Sequence, residues 1–266
     1  MPASVTDGDT AQRQAAPSTA CYIYGIVPAD GARPPGVPGV GEPPAKVGLL
    51  PHRSLAALVS EIDVSRPLGT PQDLLAHQRL LDEVSAASPV LPLRFGGVVT
   101  DPEAVTAELL GPHHDEFADA LDQIAGQVQY VIRGRYDGPA VLAEILAEEP
   151  EAARLHEEIR GKDETATRPE RVQLGEIIGN AVAAKREADT EEATQVLAPL
   201  CTAAAVRDPG HEFDAVNLAV LVHRDRQADL EQEFSQLSRD WAQRVELRLL
   251  GPMAPYDFVA SPDLGD

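Results

Sequence analysis

Cysteine is nearly absent: Cys21 and Cys201 each stand without a second cysteine nearby. That excludes a zinc knuckle or a vicinal redox pair and points to reduced, cytoplasmic thiols. Basic residues are scarce as well. Against 43 Asp and Glu stand 22 Lys and Arg, a net charge of −21. Phosphate backbones and anionic membranes are held by Lys and Arg, so neither nucleic acid nor a membrane surface is an expected partner. No apolar run reaches the roughly 18 residues of a membrane span. The first twenty residues, rich in Thr, Ser, Gln, Asp and Ala, contain no apolar signal core.

Catalytic constellations are missing too. No serine sits in a GxSxG context, no histidine has a cysteine companion, and the carboxylates follow helix-surface spacing. His113-His-Asp-Glu116 offers four metal-ligand types, but consecutive helical residues point about 100° apart and do not converge on one ion. His211-Glu-Phe-Asp214 is not an HExxH motif. The reading is therefore no enzyme, no cofactor and no metal.

What is present suffices for a packed core: 43% of the residues are hydrophobic, in 266 positions. Residues 1 to 20 read as a disordered arm. Cys21 to Val27 form a strand apolar on both faces. The stretch Pro28 to Pro44 holds six prolines and four glycines in seventeen positions, which makes it a loop. Lys46 to Leu50 and Leu55 to Ile62 read as a hairpin. Thr70 and Pro71 start a helix that places Leu74, His77, Leu81 and Val84 on one face, so His77 is read as a buried imidazole bonded to backbone rather than a catalyst. Val90 to Val99 is a strand. Within it Arg94 lies between Leu93 and Phe95, read as a structural tie to a carboxylate such as Glu61 or Asp63, with a partner-binding role as the alternative.

Further on, Val128 to Arg135 alternates as a strand, and Pro139 opens a helix burying Val141, Leu142, Ile145 and Leu146. Residues 149 to 170 are charge-dense and read as an exposed helix plus loop. From Arg171 to Leu197, Leu174, Ile177, Ile178, Ala181 and Val182 mark a long amphipathic helix of about 40 Å. Its Lys185 to Glu192 end is almost wholly polar and is expected to project from the body. Ala215 to His223 is a central strand, and Leu230, Phe234, Leu237 and Trp241 stripe a last helix. Strand, helices, strand, helix, strand is the order of a ferredoxin-like unit, with a further strand drawn from the segment after Pro255. The expected class is α+β in two domains: residues 21–110 as an N-terminal α+β domain, and 111–266 as a ferredoxin-like one containing the long helix.

The chain closes on Arg244-Val-Glu-Leu-Arg-Leu-Leu250, which alternates apolar and charged residues, and then Gly251-Pro-Met-Ala-Pro-Tyr-Asp-Phe-Val259. The prolines take that segment off the ladder, and its aromatics press back on the protein or on a partner. This ending resembles that of the gas vesicle GvpL/GvpF family, Gly-Pro-Trp-Pro-Pro-Tyr-x-Phe-Val, with Met253 and Ala254 where the family has Trp-Pro. Cys21 to Val27, Leu55 to Ile62 and Val90-Leu-Pro-Leu-Arg-Phe-Gly-Gly-Val98 are similar to further family segments in the same order.

The resemblance implies two domains, the second ferredoxin-like. It also implies a cytoplasmic accessory or minor structural protein that binds the hydrophobic gas vesicle shell protein and assists assembly beside other gas vesicle accessory proteins. Tyr256, Phe258 and Arg94 are the candidate partner-binding residues, with ordinary core packing as the competing account for the aromatics. The other functional class considered is a small-molecule-sensing module that takes a ligand between helices and sheet.

Overall fold

The computed structural model describes residues 19–30 and 36–260. The arm expected over residues 1 to 20 lies outside them, apart from Thr19 and Ala20, which already belong to the first strand. That strand, β1 (Thr19–Pro28), pairs antiparallel with β3 (Leu55–Asp63), which pairs in turn with β2 (Gly48–His52). On its other side β1 meets two short strands, β4 (Leu91–Pro92) and β5 (Val98–Val99). The single strand expected over Val90 to Val99 is thus interrupted. Gly96, at φ +102°, turns the chain away from the ladder between the two pieces, a conformation open to glycine and strained for other residues.

Helix α1 (Pro71–Ala87) starts with a reciprocal capping box between Thr70 and Asp73. It buries His77, Leu80, Leu81 and Val84, whereas Leu74, expected on that face, is 48% exposed. The short α2 (Pro102–Ala104) runs into a wider π-helical turn over Val105–Leu110, and α3 (His114–Gln123) follows. Phe117 and Leu121 of α3, with Ile124 after it, join Ile23, Ile26 and Leu91 in one core cluster. Although α3 lies beyond residue 110, its apolar face therefore packs with the first sheet.

The second sheet is antiparallel throughout. It contains β6 (Gln127–Tyr136), β7 (Ala203–Val206), β8 (Asp214–His223) and β9 (Val245–Met253) in the spatial order β7-β8-β6-β9. The fourth strand is β7, not the segment after Pro255. Three alanines in a row carry little strand preference, which is why β7 escaped the pattern reading. Helices α4 (Gly138–Glu148), α5 (Pro150–Ile159) and α6 (Arg168–Leu197) connect β6 to β7, and α7 (Gln227–Trp241) connects β8 to β9. Their apolar sides share one cluster with Tyr130, Ile132, Leu218, Val220 and Val245 of a single sheet face.

Two expectations about these helices are corrected. The charge-dense stretch from residue 149 is not wholly exposed, since α5 buries Ala152, Leu155 and Ile159 at helical spacing. Nor does the polar end of α6 project. Asp189, Thr190 and Ala193 are buried there. Asp189 accepts the Tyr136 hydroxyl at 2.5 Å and pairs with Arg244, while Glu192 accepts the Trp241 indole N–H at 3.2 Å. Polar side chains that bring their own partners pack as well as apolar ones.

Strand β9 keeps the predicted alternation, with Val245 and Leu247 buried and Glu246 and Arg248 exposed. It continues past Leu250 to Met253 with a slip in register opposite Gln129 and Val131. Gly251 sits at φ +139°, where a Cβ would stand 2.7 Å from the Tyr130 ring and 2.9 Å from the Gln129 carbonyl, so only glycine allows this crossing.

Candidate functional site

The two sheets meet at the closing segment. Ala254 donates its N–H to Asp82 of α1, and Arg224, in the turn before α7, donates to the carbonyls of Ser85 and Ala86 at the end of α1. A cation on the last carbonyls of a helix satisfies orphan acceptors and suits the helix dipole. Gln129 of β6 holds Asp257 at two points, donating to its carboxylate at 2.5 Å and accepting its N–H at 2.9 Å. Beyond it, Phe258 and Val259 pack half-buried on the first core, and Tyr256 packs on the cluster beneath α1. Of the two destinations the sequence left open for these aromatics, the structure describes the chain's own surface.

Beside this junction lies a cleft of about 530 Å³. Phe95 and Tyr256 line it from one side, Val131, Leu250 and Met253 from the other, and Arg94, Arg133 and Arg207 stand around it. Arg94 is exposed and makes no ion pair among the described residues, which corrects its reading as a structural tie to a carboxylate such as Glu61 or Asp63. The turn at Gly96 explains the difference, because Arg94 sits where the strand has left the ladder. Tyr256 and Arg94 thus share one cleft, whereas Phe258 faces the first core. Arg133 and Arg207 were missed by the sequence reading. Alternation put Arg133 and Arg248 on the polar faces of their strands, but only the pairing of β6 with β9 makes them neighbours.

Beneath the cleft, His77 is 4% exposed. Its Nδ1 lies 2.9 Å from the Tyr22 hydroxyl and its Nε2 3.1 Å from the Leu93 carbonyl, the backbone-bonded imidazole expected. Burial, opposed by the Leu93 carbonyl, holds it below the ordinary imidazole range. Burial also pushes the Cys201 thiol up to about 11 and raises that of Cys21, so neither is a thiolate nucleophile at neutral pH.

One surface trio has the connectivity of a hydrolytic triad: Ser54 Oγ lies 3.0 Å from His114 Nε2, and Asp115 Oδ1 lies 2.9 Å from His114 Nδ1. The Asp115 side chain is 99% exposed, however, and Ser54 is exposed on the β2–β3 turn. A carboxylate so open to water and salt fixes an imidazole weakly. The trio ties that turn to α3. No helix among the described residues is long and apolar enough to cross a membrane.

The cleft is set in a mixed α+β body, and solved structures share that fold. A crystal structure of the gas vesicle protein GvpF from Anabaena sp. PCC7120 superposes with a TM-score of 0.75 at 23% identity, covering 91% of this chain and 98% of that one. GvpF from Microcystis aeruginosa superposes with a TM-score of 0.72 at 21% identity over 90% and 98% of the two chains. In sequence, Gas vesicle protein F of Streptomyces sp. (strain CB03234) is 34% identical over 90% of this chain and 98% of its own. Gas vesicle protein L of that strain is 30% identical over 90% and 92%. Residues 20–260 match the family described as gas vesicle synthesis protein GvpL/GvpF. The chain belongs to that family.

Proposed function

We propose that this protein is a cytoplasmic accessory or minor structural component of gas vesicles that binds the hydrophobic shell protein and assists its assembly, working beside other accessory proteins and without catalysis or a cofactor. The observation that carries the reading is the family match across residues 20–260. A net charge of −21 suits a soluble body that handles a water-averse client. The contact surface we assign is the cleft edged by Arg94 and Tyr256, with Phe258 contributing only the edge that its packing leaves exposed.

The β-α-β-β-α-β order of the second sheet and its β7-β8-β6-β9 arrangement support a ferredoxin-like C-terminal domain. In the two-domain division, the packing of α3 favours a boundary after Ile124 rather than after residue 110. Co-expression with the shell protein tests the function. The shell protein should be retained on tagged protein, and deleting the gene should abolish vesicles in the host. Vesicles that form normally without it, from a shell protein it never retains, would end the reading.

A ligand-sensing role draws on one feature, an open groove of about 590 Å³ between α6 and the β7–β8 end of the sheet. A metabolite that raised the melting temperature while the shell protein stayed unbound would favour that role.

A further inference from the structure

We propose that the cleft between the sheets docks a short carboxylate-bearing segment of a partner protein. Arg94 and Arg133 take its acid groups, and the apolar floor takes a neighbouring side chain. The inference rests on the reading of this cleft as a partner site and adds the chemistry of what it binds.

Charge carries the argument. Acidic residues outnumber basic ones 43 to 22 in the chain, yet three arginines and no Asp or Glu line this cleft. Two of the three are uncommitted. Arg207 is held by Asp257 at 3.4 Å, but neither Arg94 nor Arg133 forms an ion pair among the described residues.

The placing of Arg133 is unfavourable without a ligand. Across the β6–β9 ladder it stands directly opposite Arg248, and like charges in that relation destabilise a sheet. The nearby carboxylate of Glu246 is 2.7 Å from Arg248 and so relieves that side chain, leaving Arg133 free. A carboxylate bridging to Arg133 would supply the missing partner, and the planar guanidinium is shaped to take one through two N–H donors. Phe95, Val131, Leu250 and Met253 offer an apolar floor beside it.

The body's net charge sets an upper limit on the guest. A long polyanion feels the whole −21, whereas a segment with one or two acids feels mainly groups within a Debye length of about 8 Å, among them the two arginines that lack an ion pair.

Two measurements separate this inference from the reading beneath it. The first titrates isotope-labelled protein with the peptide acetyl-Phe-Asp-Leu-Glu-amide and with its neutral counterpart acetyl-Phe-Asn-Leu-Gln-amide. The acidic peptide should shift the amides of Phe95, Val131 and Leu250 and bind at least about fivefold tighter, with the difference shrinking in about 0.5 M salt. Equal response to both peptides, or shifts confined to other surfaces, overturns the docking chemistry whatever the shell protein does.

The second compares shell-protein binding by Arg94→Gln, Arg133→Gln and the control Arg135→Gln, which lies outside the cleft. Each cleft variant should weaken binding by about tenfold, roughly the loss of one charge-assisted contact, and the control by less than about twofold. Wild-type and variant binding that agree within about twofold would likewise overturn the inference. If the acidic peptide docks in the cleft while wild-type protein holds no shell protein, the assembly reading falls and the cleft's chemistry stands.

Discussion

Asp82 Oδ1 accepts the backbone N–H of Ala254 at 3.0 Å, joining the second half of α1 to the residue that follows β9. Burial pushes this carboxyl above its usual range, against the pull of the Ala254 N–H and of Gln78. Asp82→Ala strands a buried donor and should lower stability by about 1–3 kcal/mol. Asp82→Asn keeps an acceptor and should lose less than half as much. Urea unfolding followed by circular dichroism measures both, and equal losses would show that this N–H is not what the carboxylate serves.

A second prediction concerns the buried end of α6. The Asp189 side chain is 7% exposed and paired with Arg244, and it also accepts the Tyr136 hydroxyl. Burial raises the Asp189 carboxyl in spite of those two partners, and burial together with the Asp189 carboxylate raises the Tyr136 phenol. Asp189→Ala leaves a guanidinium and a phenol unpaired and should cost about 3 kcal/mol, near the lower end for a broken buried pair because Arg244 keeps some contact with water. Combined with Arg244→Met, the loss should be smaller than the sum of the single losses. Simple additivity would mean the pair is not coupled.

The sign of the His77 effect on stability against pH is fixed by its depressed pKa. Its neutral form belongs to the fold, so its contribution is full above the unfolded value of about 6.5 and is lost as pH falls below it, by at most about 1.4 kcal/mol per pH unit. Asp82 and Asp189 are raised and act oppositely, gaining as pH falls through their folded values toward the lower unfolded ones. The stability gap between wild type and His77→Gln isolates the imidazole and should narrow between about pH 7.5 and pH 5. A gap that stays constant would place the titration elsewhere.

Phe258 packs half-buried against the first core. Phe258→Ala should cost about 1.5–2.5 kcal/mol, roughly half the loss of a fully buried ring. Phe258→Asp should cost more, since a carboxylate there has to leave the cluster. If thermal melts show both variants unchanged, this ring does not hold the closing segment down.

The features that could be read from the sequence were those encoded within one segment. The alternation from Arg244 to Leu250 describes β9 because each residue's face depends only on its neighbours' spacing. Three apolar residues around His77 likewise located the imidazole, though Leu74 did not follow them inside. Features made by distant pairs were hidden. Lys185 to Glu192 looks solvated until Tyr136, Trp241 and Arg244 arrive from other elements to meet it. Arg94 reads as a structural tie because nothing before Gly96 announces that the strand breaks. The cleft itself needs β6 beside β9 and the closing segment beside α1, relationships that no local pattern carries.

The sharing of the first core has a consequence for synthesis. Ala203, Leu221, Phe258 and Val259 complete an apolar cluster whose other members lie between Cys21 and Ile124. A ribosome therefore delivers the first sheet with α1 and α3 well before these later residues, and the part of the cluster they cover waits with greasy side chains bare. Closure across so long a separation in sequence is slow, so this chain is most vulnerable to clumping before Phe258 and Val259 have joined that cluster.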